Sequence, residues 1–197
     1  MAAERNPVWK RKLAALSRWL HIYLSMVCFA MVFFFALTGL TLNHADWFGR
    51  QAVIEHKGAV NPAWAKDVAK LEIVEYLRAH DGVKGALSDF RVDDTQLAIS
   101  FKGPGYAADA FLDRATGGYD LTETRMGAVA VWNDLHKGRD TGKAWSFLID
   151  VSAALMALVS LTGLILIFFL KKRLVSGLIA AAAGATALYA VYAALVP

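Results

Sequence analysis

Hydrophobic residues collect in three long runs that carry no charge. Residues 22–42, 151–170 and 174–196 contain no Asp, Glu, Lys or Arg over 21, 20 and 23 positions. An α-helix needs about 20 predominantly apolar residues to cross the hydrocarbon core of a bilayer. Each run therefore predicts one membrane-spanning helix. The predicted spans are residues 20–43, 145–170 and 174–197.

Between the first and second runs the pattern becomes that of a water-facing domain, residues 44–144. Apolar residues at three-residue steps among charged ones predict a helix at 65–80. Turn-forming residues such as Asp93-Asp94 and Gly103-Pro104-Gly105 separate predicted strands at 86–92, 96–102, 106–113 and around 119–123. The predicted fold is an α-helical membrane protein with three transmembrane helices and a small α+β domain inserted between helices 1 and 2.

Composition agrees with a membrane protein and excludes two other classes. Hydrophobic residues make up 57% of the chain and charged residues 19%, and the mean hydropathy is +0.40. The pI of 9.2 comes from basic residues clustered beside the apolar runs, so no nucleic-acid partner is expected. The single cysteine, Cys28, lies inside the first run, which excludes a disulfide scaffold.

The distribution of charge predicts how the chain crosses the membrane. Five basic residues and one acid precede the first run, and residues 171–173 are all basic. Both segments are therefore expected in the cytoplasm, as segment 1–19 and turn 171–173. Residues 44–143 carry 13 Lys and Arg against 15 Asp and Glu, as expected for a domain on the outer side. A cleaved signal peptide is the alternative for the first run, but that run is too long and is followed by bulky residues.

Three histidines lie at predicted membrane boundaries: His21, His44 and His136. Histidine is costly beside a bilayer core, which makes each a candidate functional residue. His21 and His44 are about 34 Å apart along a helix, too far to share one metal. His44 and His136 lie at the outer ends of neighbouring antiparallel helices, where they could ligate the two faces of one haem b. The alternative is an interfacial histidine hydrogen-bonded to water or lipid headgroups.

Other residues near these histidines are weaker candidates. Gly39 belongs to a Leu-Thr-Gly-Leu motif at 37–40 that recurs at 161–164, and its missing side chain would let a flat macrocycle approach the backbone; ordinary helix packing is the alternative. Arg139 is placed to pair with haem propionates, or it belongs to a solvated basic loop. His21 has no histidine partner on the inner side of the same chain, so an inner haem would need His21 of a second subunit or a Met. His56 and His80 are interpreted as surface histidines.

These motifs together resemble the PepSY-associated transmembrane proteins over nearly the whole chain. The resemblance is carried by both Leu-Thr-Gly-Leu motifs and by residues 17–21, 113–118, 134–138 and 171–173. It implies a PepSY-like domain in the periplasm, and an inner-membrane, multi-pass protein. Members that reduce ferric siderophores bind haem through membrane histidines, and the matching positions here are His21, His44 and His136.

The predicted function is therefore an inner-membrane b-type cytochrome. It would pass electrons to a periplasmic acceptor such as a ferric chelate or a flavoprotein, either as a ferric reductase or as an electron-transfer subunit. Three spans and one PepSY-like unit per chain favour a homodimer embedded in membrane lipid. The alternative is a non-redox, membrane-anchored accessory protein whose PepSY-like domain binds or regulates a periplasmic partner. A metal transporter has less support, since no acidic or thiolate path crosses the spans.

Overall fold

The computed structural model describes residues 7–196 and contains six α-helices and one antiparallel sheet within them. The chain divides into two compact units, a helical unit within Met1–Val32 and Asp150–Pro197 and a sheet unit, Phe33–Ile149. The elements in order are α1 (Val8–Asn43), β1 (Gln51–Ala59), α2 (Pro62–Lys66), α3 (Lys70–His80), β2 (Ala86–Val92), β3 (Gln96–Gly103), β4 (Tyr106–Asp113), β5 (Gly118–Met126), α4 (Ala128–Lys137), α5 (Gly142–Ile167) and α6 (Leu174–Leu195), with a 3-10 turn at Ala45–Phe48 after α1.

Three helices, α1, α5 and α6, are long and apolar enough to cross a membrane, as predicted. The chain is a multi-pass membrane protein. Helix α1 begins at Val8, twelve residues before the predicted span at 20–43, because no Gly or Pro interrupts the chain between Pro7 and the apolar run. Its 36 residues measure about 54 Å, longer than the roughly 30 Å core of a bilayer. The basic first turns of α1 therefore extend past the apolar zone as helix.

The sheet has five strands in the order β1-β5-β4-β3-β2, and every neighbouring pair is antiparallel. Alternate residues on one face are buried, among them Ile99, Phe101 and Leu112, and they form one core with Ile73 and Leu77 of α3. The four predicted strands are confirmed: β2 and β4 have the predicted bounds, β3 is one residue longer, and β5 runs over Gly118–Met126.

Two parts of the domain prediction are wrong. The domain starts with a strand, β1, which pairs along its whole length with β5. The predicted helix at 65–80 is two helices, because Val68 has a positive φ of 55° between α2 and α3. The register of the second helix also differs: Leu71 is 69% exposed, whereas Ile73 is fully buried.

Helix α4, also absent from the prediction, follows the sheet directly. It ends at Gly138, whose left-handed φ of 67° lets its N–H bond back to the carbonyls of Asp134 and Leu135. Its buried residue is the polar Asn133, and its last turn carries His136. The end of α4 therefore determines where His136 lies.

Candidate functional site

His136 lies against the outer end of α1 within the sheet unit. Its Nδ1 is 2.5 Å from the hydroxyl oxygen of Thr38, and its ring makes an edge-to-face contact with Phe35 at 5.0 Å between centroids. A methyl group added at Gly39 would come within 3.9 Å of the His136 Cε1 atom. The imidazole therefore lies beside the Thr-Gly pair of the first Leu-Thr-Gly-Leu motif.

The hydrogen bonds of Thr38 assign the proton on His136. The Thr38 hydroxyl donates its single hydrogen to the carbonyl of Phe34 at 2.6 Å, so toward the imidazole it acts as an acceptor. Nδ1 of His136 then carries the hydrogen and donates it. In the neutral ring this leaves a free electron pair on Nε2.

His21, in the helical unit, also lies beside the Thr-Gly pair of a Leu-Thr-Gly-Leu motif. Its Nδ1 lies 3.1 Å from the carbonyl oxygen of Val159 and 3.2 Å from the hydroxyl of Thr162 on α5. A carbonyl can only accept, so His21 Nδ1–H is the donor. A methyl group at Gly163 would meet the His21 Cε1 atom at 3.0 Å, which means that glycine at 163 makes room for this ring.

Both Leu-Thr-Gly-Leu motifs thus receive a histidine from another segment of the chain. In each, the threonine donates to a carbonyl of its own helix, Phe34 for Thr38 and Val159 for Thr162. In each, the glycine faces the imidazole ring. The backbone at Gly39 and at Gly163 therefore faces a histidine ring, and the approach of a macrocycle to Gly39 stays a prediction.

His44 differs from the other two. It follows the end of α1, donates from Nδ1 to the carbonyl of Leu40 at 3.0 Å, and packs on the ring of Trp47 at 4.0 Å between centroids. Within residues 7–196, no hydrogen bond or ring contact joins His44 to His136. Two imidazoles that hold one iron from opposite faces need not touch each other, so the pairing of His44 with His136 stays a prediction.

Helix α4 is fixed in place by polar contacts that the sequence analysis missed. The Thr41 hydroxyl donates to the side-chain oxygen of Asn133 at 2.6 Å, one helical turn from the contact of His136. On the sheet side, the Gly105 N–H donates to the Asp134 carboxylate at 2.9 Å. Thr38 and Thr41 are three residues apart on α1, as are Asn133 and His136 on α4; this matching spacing of polar residues was the available signal.

Arg139, the predicted propionate partner, lies just past the end of α4. Its backbone N–H donates to the carbonyl of Asp134 at 3.1 Å, and its side chain is exposed. Lys137 and Lys143 are exposed as well. The structure thus places a basic, solvent-accessible segment immediately after His136.

The sheet carries a separate polar cluster around Glu123, which is 1% exposed. Arg125 binds it through two hydrogen bonds of 2.7 and 3.0 Å, and these bonds hold the pKa of the Glu123 carboxyl below its usual value. His56 Nε2 lies 3.8 Å from the same carboxylate, and the His56 side chain is 33% exposed. His56 is therefore a partly buried histidine beside Glu123. His80 lies at the surface beside Asp81, with 3.1 Å between Nδ1 and the carboxylate.

The two histidine sites offer few ligand atoms within one chain. No group of three or more His, Cys, Asp and Glu side chains is close enough to hold a metal ion by itself within residues 7–196. The buried nitrogens without a partner in the same range are His56 Nε2, Arg78 Nε and Arg114 Nε. The Nε2 atoms of His21 and His136 are not among them, so both atoms are unpaired but accessible. Each site therefore offers one oriented imidazole with one free nitrogen.

Comparison with known proteins gives one result. A protein-family model described as "Putative PepSY_TM-like" matches residues 15–197, nearly the whole chain. Neither the curated proteins nor the solved structures contain a match.

Proposed function

The chain belongs to the PepSY_TM-like family, and we propose that it is a membrane b-type cytochrome that passes single electrons to an acceptor on the outer side. The observation that carries the proposal is the state of the two imidazoles. His21 and His136 each donate Nδ1–H to the chain and leave Nε2 unpaired.

This donor set fits haem iron. A metal-bound histidine almost always donates its other ring N–H to a carbonyl, carboxylate or similar acceptor, which fixes the tautomer and the ring orientation. Val159 and Thr38 supply such acceptors here. His44 has the same tautomer through Leu40 and is the third candidate ligand.

The contacts described above fix one imidazole at each Thr-Gly site, and a low-spin b haem would be held by two imidazoles. We therefore propose a homodimer in which the matching histidine of a second copy completes the pair. Pairing of His44 with His136 inside one chain is the alternative, and the contacts of His44 with Leu40 and Trp47 leave its Nε2 available for it. When bound, the haem supplies reversible one-electron oxidation and reduction of its iron.

The residues around the histidines would orient the imidazole rings, and Arg139 would neutralise negative charge at the outer surface. Gly39 and Gly163 leave space for the imidazoles, Thr38 and Thr162 keep their tautomers fixed, and exposed Arg139 is available to pair with a carboxylate at the outer surface. Burial and hydrogen bonding around the histidines then tune the reduction potential.

The proposed orientation follows the positive-inside rule. Segment 1–19 and turn 171–173 face the cytoplasm of a bacterial cell, and residues 44–144, including the sheet, face the periplasm. The electron acceptor is then a periplasmic ferric chelate or flavoprotein. The chain acts as a ferric reductase or as the membrane subunit that passes electrons to one.

The haem content of histidine variants tests this proposal. We would purify the full chain and measure haem per chain by the pyridine haemochrome method, together with its mass in detergent. His21→Ala and His136→Ala should each lose haem, whereas His80→Ala, at an exposed histidine outside both sites, should keep the full content.

His44→Ala distinguishes the ligand sets. Full haem content in this variant agrees with pairing between copies, and loss equal to that of His136→Ala restores pairing within one chain. A wild-type protein without haem, purified from cells supplied with it, contradicts the cytochrome and leaves the membrane-anchored accessory protein as the function.

A further inference from the structure

The helical unit contains a cavity of about 570 Å³, and His21, Thr162 and Gly163 are not among its lining residues. It is lined by the first turns of α1 and by the end of α5 with the residues that follow it. Four of the lining side chains are cationic: Lys10, Arg11, Arg18 and Lys171. Among residues 7–196, no Asp or Glu lines the cavity.

Within residues 7–196 these cations have no carboxylate partner, since none of the salt bridges there involves them. The Lys10 Nζ atom lies over the Trp9 ring, 5.5 Å from its centroid. Four positive charges facing one cavity repel one another unless an anion neutralises them. Arginine and lysine together are the side chains that bind phosphate, arginine through two parallel hydrogen bonds.

The rest of the wall is apolar. Leu13 and Ala14 of α1, Ile165 of α5 and Phe168 just after α5 line the same cavity. Both helices continue from there as the apolar segments able to cross a membrane. A soluble phosphate would gain nothing from this wall. An amphiphile with a phosphate head and hydrocarbon chains would use both parts.

From this combination we propose that the cavity binds an anionic phospholipid of the adjoining leaflet, with its phosphodiester among the four cations and its acyl chains along the apolar wall. A zwitterionic lipid fits less well, because no carboxylate of residues 7–196 lines the cavity to balance a choline or ethanolamine group. Basic pockets between membrane helices bind acidic headgroups in this manner. The proposal does not depend on haem.

The chain offers a matched pair of double variants for the test. Arg11→Gln with Lys171→Gln removes two lining charges. Lys12→Gln with Lys172→Gln removes two charges from the adjacent positions, which do not line the cavity. The net charge, the helices and the membrane interface change equally in both.

Native mass spectrometry of the purified full chain would count lipids retained from phosphatidylglycerol and from phosphatidylcholine. We expect preferential retention of phosphatidylglycerol, with affinity reduced about 10- to 30-fold by the lining pair of substitutions and changed little by the adjacent pair. Equal retention of the two lipids overturns the proposal, and so does equal loss from both double variants.

A second measurement needs no variant. The thermal unfolding midpoint of the wild-type protein should rise with phosphatidylglycerol and not with phosphatidylcholine, since a ligand that binds the folded state stabilises it. Millimolar inorganic phosphate should not displace the lipid. Displacement by phosphate would identify a site for a soluble anion and would contradict a lipid.

Discussion

The ring of His136 and the hydroxyl of Thr38 lie 2.5 Å apart although 98 residues separate them in sequence. One turn away, Thr41 contacts Asn133 at 2.6 Å, so two polar residues of α1 meet two polar residues of α4 in antiparallel register. Polar groups at a membrane boundary are stable when each has a partner. These two contacts fix α4 against α1 and determine the orientation of the His136 ring.

Replacing Thr38 with valine should weaken haem binding at His136. Valine keeps the shape of threonine but cannot accept the Nδ1–H bond, so the tautomer and ring orientation are no longer fixed. Loss of such an acceptor costs about 10- to 100-fold in metal affinity. Transfer of haem to an apo-protein acceptor measures the change. Ser160→Ala is the control, because the Ser160 hydroxyl donates to the carbonyl of Met156 in its own helix. Unchanged haem affinity in Thr38→Val would show that the acceptor has no such role.

The two motif glycines should respond differently to alanine. At Gly163 the added methyl meets the His21 ring at 3.0 Å, a tighter contact than most Cβ atoms make, so the ring would have to shift. At Gly39 the added methyl lies at an ordinary 3.9 Å from His136. We expect Gly163→Ala to destabilise the protein by about 1–3 kcal/mol and Gly39→Ala to change stability by less than about 1 kcal/mol.

Thermal unfolding in detergent measures both variants. Gly184→Ala on α6 is the control, because nothing lies within 4 Å of its added methyl. Equal destabilisation by Gly163→Ala and Gly39→Ala would contradict the observed packing of the histidine rings.

Glu123→Gln should destabilise the sheet in a pH-dependent way. The hydrogen bonds from Arg125 lower the pKa of Glu123 in the folded state below the ordinary value of 4.5. A lowered folded pKa means that the carboxylate stabilises the fold above pH 4.5, and that this contribution is lost as pH falls through the folded pKa. At neutral pH we expect a loss of about 1–3 kcal/mol, which shrinks below pH 4.5.

Unfolding midpoints of wild type and variant from neutral to acidic pH measure this difference. The control is Asp120→Asn on the same strand, which breaks the exposed pair with Lys57 at 2.9 Å and should have little effect at any pH. A loss from Glu123→Gln that stays constant with pH would contradict the assigned charge state.

The proposed orientation predicts the side on which the carboxyl terminus lies. With segment 1–19 inside and three crossings, the chain should finish outside the cytoplasm. Alkaline phosphatase fused after the last residue should be active in cells, and green fluorescent protein fused there should be dark. Fusions at residue 172, in the basic turn, serve as the opposite control. Reversed signals would place the sheet in the cytoplasm.

The strands that the sequence predicts are those whose buried face is apolar. In β3 and β4 every second residue is buried and apolar, so a period of two is visible. Strand β1 was missed because its inward positions include His56 and Gly58. A Cβ at Gly58 would collide with the Tyr119 hydroxyl. Glycine is therefore needed at this inward position, where the pattern of an apolar strand would have a large side chain. Helix α4 was missed for a similar reason, since its buried residue is polar.

The candidate site was predictable in part. Histidines in apolar surroundings are visible in the sequence as candidate functional residues. In the structure, a backbone carbonyl fixes the ring of His21 and a hydroxyl fixes the ring of His136. Their partners are not visible in one sequence, because which helix faces which is decided by packing of the whole unit. The two histidines are separated from their motifs by different distances in sequence, 98 residues from Thr38 to His136 and 141 residues from His21 to Thr162. Sequence distance therefore predicts neither contact.

The absorption spectrum of the purified full chain, recorded before and after reduction with dithionite, tests whether the chain is a b-type cytochrome. We expect a Soret band that sharpens on reduction and resolved α and β bands, as two imidazoles on haem iron produce. A protein from haem-supplied cells that shows no Soret band in either state would contradict the proposed cytochrome.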